Sequence, residues 1–151
     1  MNSLSLIGRH LKDDDVVEVL EDFDMTVEYD FDRSHENMPD KYWASSKANG
    51  LLFGFDEAQT LKTIFIYLAA IEGYMPYKDE DLGISFFDSP NEVEHWARAT
   101  GISVERRAPK EFQGIWRESV RTGHDGKWVH YEFRHEGPSM ITIFEQNEDG
   151  A

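Results

Sequence analysis

Apolar residues recur at every second position in two stretches of this chain. Leu51, Phe53 and Phe55 do so in LLFGFDEAQTLKTIFIYL, residues 51–68, and Val129, Tyr131 and Phe133 do so in VHYEFRHEGPSMITIF, residues 129–144. A period of two places each set on one face of a strand. Asp56-Glu57-Ala58-Gln59 reads as the turn of the first hairpin, and the strand after it is rich in the β-branched and aromatic residues that suit sheets. The tripeptide Thr63-Ile64-Phe65 returns as Thr142-Ile143-Phe144.

Two segments carry the helical period instead. Asp13 stands where a cap belongs, Asp14 and Asp15 follow it, and Val16, Val17, Leu20 and Phe23 then share a face, which predicts a helix over 13–22. Ser89-Pro90-Asn91-Glu92 reads as a cap, a first-turn proline and the closing acid of a capping box. Val93, Trp96 and Ala97 supply the apolar face of that helix, over 90–99, and Gly101 supplies its stop. Met25–Tyr29 and Ile102–Arg106 alternate as strands. Residues 30–50 read as a long connection with a short edge strand around Tyr42–Ser45, and residues 108–126 as a polar loop.

The matches extend along the chain in one order. Asp13 answers to Ser89, Thr26-Val27-Glu28 to Ser103-Val104-Glu105, Leu51 to Val129 and Thr63 to Thr142, with the spacing growing by one residue at each step. Single loop insertions would produce that drift, so the expectation is a tandem repeat. Unit one is 1–72, the joint is 73–81 with Gly73 and Pro76, and unit two is 82–145, all within a single domain 1–151. Hairpins make neighbouring strands antiparallel. The fold class expected is α+β, a mainly antiparallel sheet of at least six strands with helices on one face.

Composition adds the partner. Thirty acids against fifteen bases leave a net charge of −15, which repels nucleic acid and anionic membranes and favours encounter with a basic protein. No apolar run approaches the ~20 residues of a membrane span, and the N-terminus has no basic start followed by an apolar run, so the expected location is the cytoplasm. With no cysteine, disulfides and thiolate metal sites are excluded.

Candidate chemistry is sparse. None of the six histidines has a zinc spacing, and there is no GxSxG, P-loop or GxGxxG, so no metal, cofactor or catalytic residue is assigned. Asp13-Asp14-Asp15 cannot converge on one ion, because successive helical positions point about 100° apart. His130 and Glu132 share a strand face and would be the acid and base of a small enzyme, or two polar residues on a solvated face. The second hairpin strands are apolar on both faces, with Ile64 and Ile66 on one and Phe65 and Tyr67 on the other. A sheet covered on one side needs only one apolar face. Either the long connections fold over the other face, or it is an aromatic surface for a partner. The partner-binding candidates are the aromatic residues Trp43, Phe65, Tyr67, Trp128 and Phe144, the acids Asp79, Glu80 and Asp81, and the pair His130 and Glu132.

An acidic, cysteine-free chain with LGISFFDSPNEVEHWARATG followed by a hairpin ending in SMITIF resembles the small cytosolic immunity proteins of bacterial toxin systems. The paired helix-plus-hairpin units are also similar to the tandem-repeat β-lactamase inhibitory protein, which differs in being secreted and disulfide-bonded. The resemblance implies a non-enzymatic inhibitor that blocks another protein, such as a nuclease toxin, through its sheet face and loops. The alternative is a small enzyme or ligand-binding protein with a pocket between sheet and connections.

Overall fold

Leu51–Phe55 forms a strand because its alternate side chains have a buried layer to enter. In the computed structural model, which describes residues 1–30, 40–79 and 81–147, Leu51, Phe53 and Phe55 are almost wholly buried. The elements run α1 (Ser3–Leu6), α2 (Asp14–Asp22), β1 (Thr26–Asp30), β2 (Lys41–Ser46), β3 (Leu51–Phe55), β4 (Leu61–Tyr67), α3 (Pro90–Thr100), β5 (Val104–Phe112), β6 (Ile115–His124), β7 (Lys127–Arg134) and β8 (Gly137–Glu145). The strands form one eight-stranded sheet in the order β1-β2-β3-β4-β8-β7-β6-β5, antiparallel at every pairing. The α+β class with helices on one face is as the patterning predicts. No helix among the described residues is long and apolar enough to cross a membrane.

In chain order a helix followed by four strands occurs twice, α2 with β1–β4 and α3 with β5–β8. Ladder β4–β8 joins the two sets at the middle of the sheet. Ile64, Ile66, Ile141 and Ile143 from this ladder pack with Val16 and Val19 of α2 and Val93 of α3 in a single core. Burying a side chain of this size is worth roughly 1.5–3 kcal/mol, so these few positions hold both helices to the sheet.

Helix α3 begins and ends as its sequence predicts. Ser89 Oγ accepts from Glu92 N–H at 3.3 Å, Glu92 reaches back to Asp88 N–H at 2.9 Å, and Gly101 turns left-handed at φ 72°. Helix α2 differs in detail. Asp13 occupies the cap position, but its carboxylate accepts from His10 N–H and pairs with Arg9 rather than bonding the first turn. Its buried face is Val16 and Val19.

The connections are the main correction. Residues 108–126 are not a loop: they complete β5 and form β6, joined through Gln113-Gly114 with φ 52° and 78°. The Asp125-Gly126 turn into β7 has φ 48° and 81°, the doubly left-handed pair of a tight hairpin. Strand β2 likewise pairs on both sides, so the edge is β1. The described parts of both connections therefore extend the sheet, while residues 31–39 of the first lie outside the described residues. The joint is also more than a linker, since Tyr74 and Tyr77 are buried.

Candidate functional site

Strand alternation sends the helix-side residues into the core and leaves a second set on the opposite face. Cross-strand registers align that set into rows. One row reads Glu105, Arg121, His130, Thr142, Phe65, Leu52, Ser45, Thr26 from β5 to β1, crossing all eight strands. The next reads Gly123, Trp128, Phe144, Thr63, Gly54, Trp43, Glu28. Seven of the sequence-predicted residues thus share one face: Trp43, Phe65, Tyr67, Trp128, His130, Glu132 and Phe144.

Near its centre this face holds an open concavity of ≈ 680 Å³. Trp43, Phe65, Met140 and Phe144 give it an apolar lining, Thr63, Thr142 and His130 supply hydrogen-bonding groups, and Lys41 and Lys62 supply positive charge. Gly54 gives Trp43 room: a Cβ at position 54 would lie 3.1 Å from the indole, so a side chain there would press the ring aside by a few tenths of an ångström.

The aromatic residues are not equally available. Trp43 and Phe65 are half-buried and line the concavity. Tyr67 is only 4% exposed, stacked at 4.2 Å on Tyr74 from the joint, and burial pushes its hydroxyl up to about 12. Trp128 is 9% exposed beneath the Arg121 guanidinium, which lies 4.3 Å from its ring centre. Phe144 is buried but still borders the concavity. Arg121 and Tyr74, the covering residues, were not legible as such. Each lies seven residues from the ring it covers, and the contact depends on how the chain turns back between them.

The polar pair divides in the same way. Glu132 accepts from Ser139 Oγ and is flanked by Arg117 Nε and Arg134 Nε, each at 3.6 Å. It is held as a structural carboxylate within this cluster. His130 lines the concavity, and its buried Nδ1 has no hydrogen-bond partner among the described residues. Burial, with Arg107 and Arg121 nearby and against the pull of Glu132, holds its ring down at about 4, so it is neutral near pH 7. A neutral imidazole beside an engaged carboxylate can donate or accept a hydrogen bond, but the two residues do not form a poised acid–base pair.

The acids of the joint lie elsewhere. Asp81 accepts from the Tyr77 hydroxyl at 3.0 Å, and Tyr77 packs in the helix-side core against Phe23. Asp79 is exposed beside it, and Glu80 lies outside the described residues. The structure brings the aromatic candidates together and sets Asp81 apart from them beside the core residue Tyr77. A second, smaller cavity of ≈ 360 Å³ opens on the helix side near Trp96, His124 and Tyr131. Among the described residues no group of three or more His, Asp and Glu could hold a metal ion. Comparison with protein-family models, with curated proteins and with solved structures yields no match.

Proposed function

We propose that this chain is a non-enzymatic protein-binding inhibitor that contacts its partner through the open sheet face. In this reading it is a cytoplasmic immunity protein against a net basic, cytosol-active toxin such as a nuclease. Its two helix-plus-four-strand halves would be copies of one unit. The observation that carries the reading is the aromatic concavity. Trp43 and Phe65 lie on a sheet face that no described helix covers, where burial by a partner would recover the apolar area left in water. The net charge of −15 supports a basic partner at long range.

A second reading follows from the same concavity. Its volume lies within the roughly 300–1,000 Å³ of small-ligand sites, and the unpaired His130 Nδ1 is a group that such a ligand would satisfy. One experiment separates the two. The tagged chain is purified from its native host beside a Trp43→Ala, Phe65→Ala variant whose circular dichroism matches wild type, and both are weighed by native mass spectrometry. A stoichiometric protein partner with the wild type alone supports inhibition through this face. A partner that stays with the variant rejects the face, and a retained small molecule in place of a protein rejects inhibition.

A further inference from the structure

We propose, resting on the protein-binding reading above, that the tip of the β5–β6 hairpin is a second contact, where Phe112 and Ile115 enter an apolar pocket of the partner protein with a carboxylate on its rim. Phe112 is 64% exposed, the most of any large apolar side chain among the described residues, and Ile115, directly opposite it, is 36% exposed. The hairpin outreaches its neighbour. Pairing of β6 with β7 begins at Glu118 opposite Phe133, so the residues of β6 before it pair only with β5. The Gln113-Gly114 turn stands in open space, since a Cβ at Gly114 would meet nothing within 4 Å. Trp116, on the other face of the hairpin, stacks on His135 of the β7–β8 turn at 4.5 Å with 15° between the rings. A projecting apolar pair on a braced hairpin loses little freedom when it enters a pocket.

The charge of the hairpin says what rims that pocket. Residues 104–124 hold five of the chain's fifteen bases and only three of its thirty acids. Glu105 is engaged by Arg121 at 2.6 Å and Glu118 by Arg106 at 2.7 Å, while Glu111 stands opposite Trp116 on the other face. Arg107 and Lys110 are exposed, and neither has an ion-pair partner among the described residues. Lys110 stands opposite Arg117, on the face that Phe112 and Ile115 share. A basic rim would be repelled here, and a carboxylate would pair with Lys110 or Arg107 as the apolar side chains go in. A lipid surface fits less well, because a chain of charge −15 is repelled by anionic headgroups. A two-fold contact with a second copy would set the hairpin's cations against their own equivalents.

The test places the photo-crosslinker p-benzoylphenylalanine in the full chain, made in its native host, at position 112, at position 65 in the concavity, or at exposed position 27 on the opposite edge. Irradiation at 112 should attach the same protein that position 65 attaches, through a peptide of that protein holding apolar residues and an Asp or Glu. Position 27 should attach it at least about tenfold less. Phe112→Ala with Ile115→Ala should weaken the complex by at least about tenfold and leave the melting temperature unchanged, because both side chains are exposed. Arg107→Glu with Lys110→Glu should weaken it by less, and a tighter complex overturns the acidic rim. Crosslinks from 112 to lipid or to a second copy of this chain overturn the proposal. If Trp43→Ala, Phe65→Ala releases the partner and Phe112→Ala, Ile115→Ala does not, this proposal fails alone. If the tip variant releases the partner and the concavity variant does not, the tip stands and the concavity falls. If the wild type retains no protein, the protein-binding reading fails and the tip contact with it.

Discussion

Ile64 of β4 stands directly opposite Ile143 of β8, and neither side chain reaches solvent. The flanking pairs are reciprocal, Thr63 facing Phe144 and Phe65 facing Thr142. Each strand thus offers the same tripeptide to the other, with the isoleucines turned to the helices and the Thr–Phe pairs to the open face. This ladder is the seam between the first four strands and the last four, so the fold's cooperativity should depend on it.

Ile143→Ala should therefore cost about 2–5 kcal/mol, and Ile143→Val about 1. Urea unfolding followed by tryptophan fluorescence and by circular dichroism should give one coincident transition, because both helices pack on residues of this seam. Two separate transitions would show halves that are stable apart, and the seam would lose its central role.

Gly50 offers a sharper contrast. Its φ is +70°, and a Cβ there would stand 2.3 Å from the Met75 carbonyl oxygen and 2.9 Å from the Tyr77 nitrogen. Both are backbone atoms of the joint, and neither can swing aside. Gly50→Ala should cost about 3 kcal/mol or more. Gly126→Ala, at φ +81° with nothing within 4 Å, should cost only the backbone strain of about 1 kcal/mol. Equal melting shifts for the two variants would mean that the joint yields.

Which features could be seen in the sequence follows from how local their causes are. The cap at Ser89, the stop at Gly101 and the alternation at Leu51 and Val129 depend on residues within a turn or two, and they appear where the patterning puts them. The alternation of Ile102–Arg106 marks the start of β5, but the rest of β5 and β6 gave no such signal. β5 is an exposed edge whose Glu105, Arg106, Arg107 and Lys110 are charged, and Pro109 reads as a break. A charged edge resists pairing with other chains, at the cost of looking like a loop. In β6 only Val120 and Thr122 are fully buried, too few to register as alternation. The aromatic face was legible as a face. Its division into covered and available residues was not, since Tyr74 reaches Tyr67 from the joint and Arg121 reaches Trp128 from the neighbouring strand.

His130 should make stability depend on pH. Its ring titrates near 6.5 when unfolded and is held at about 4 in the fold. Between those values the unfolded chain binds more protons, so stability rises with pH across that window. The contribution is complete above about pH 6.5 and is lost as the pH falls through about 4. Its full size is about 3 kcal/mol. Urea midpoints at pH 7.5 and pH 4 should therefore differ more for the wild type than for His130→Asn. The variant is needed because His124, also lowered by burial, adds a change of the same sign. Parallel behaviour of the two proteins would remove His130 from the account.

The last expectation concerns the separation of charge from contact. Glu21 at the end of α2 and Asp79 in the joint are exposed, whereas the concavity lies on the other side of the sheet. Raising salt from about 0.05 to 0.5 M shortens the Debye length from roughly 14 to 4 Å and should slow association with a basic partner by about tenfold. Glu21→Lys with Asp79→Lys should slow association in the same direction at low salt, while leaving dissociation nearly unchanged, because neither residue lines the contact. Trp43→Ala should do the reverse, speeding dissociation with little effect on association. Stopped-flow association and surface-bound dissociation rates measure both arms. If the two charge reversals speed dissociation as strongly as Trp43→Ala, the partner touches the helix side, and the open face is not the whole of the binding surface.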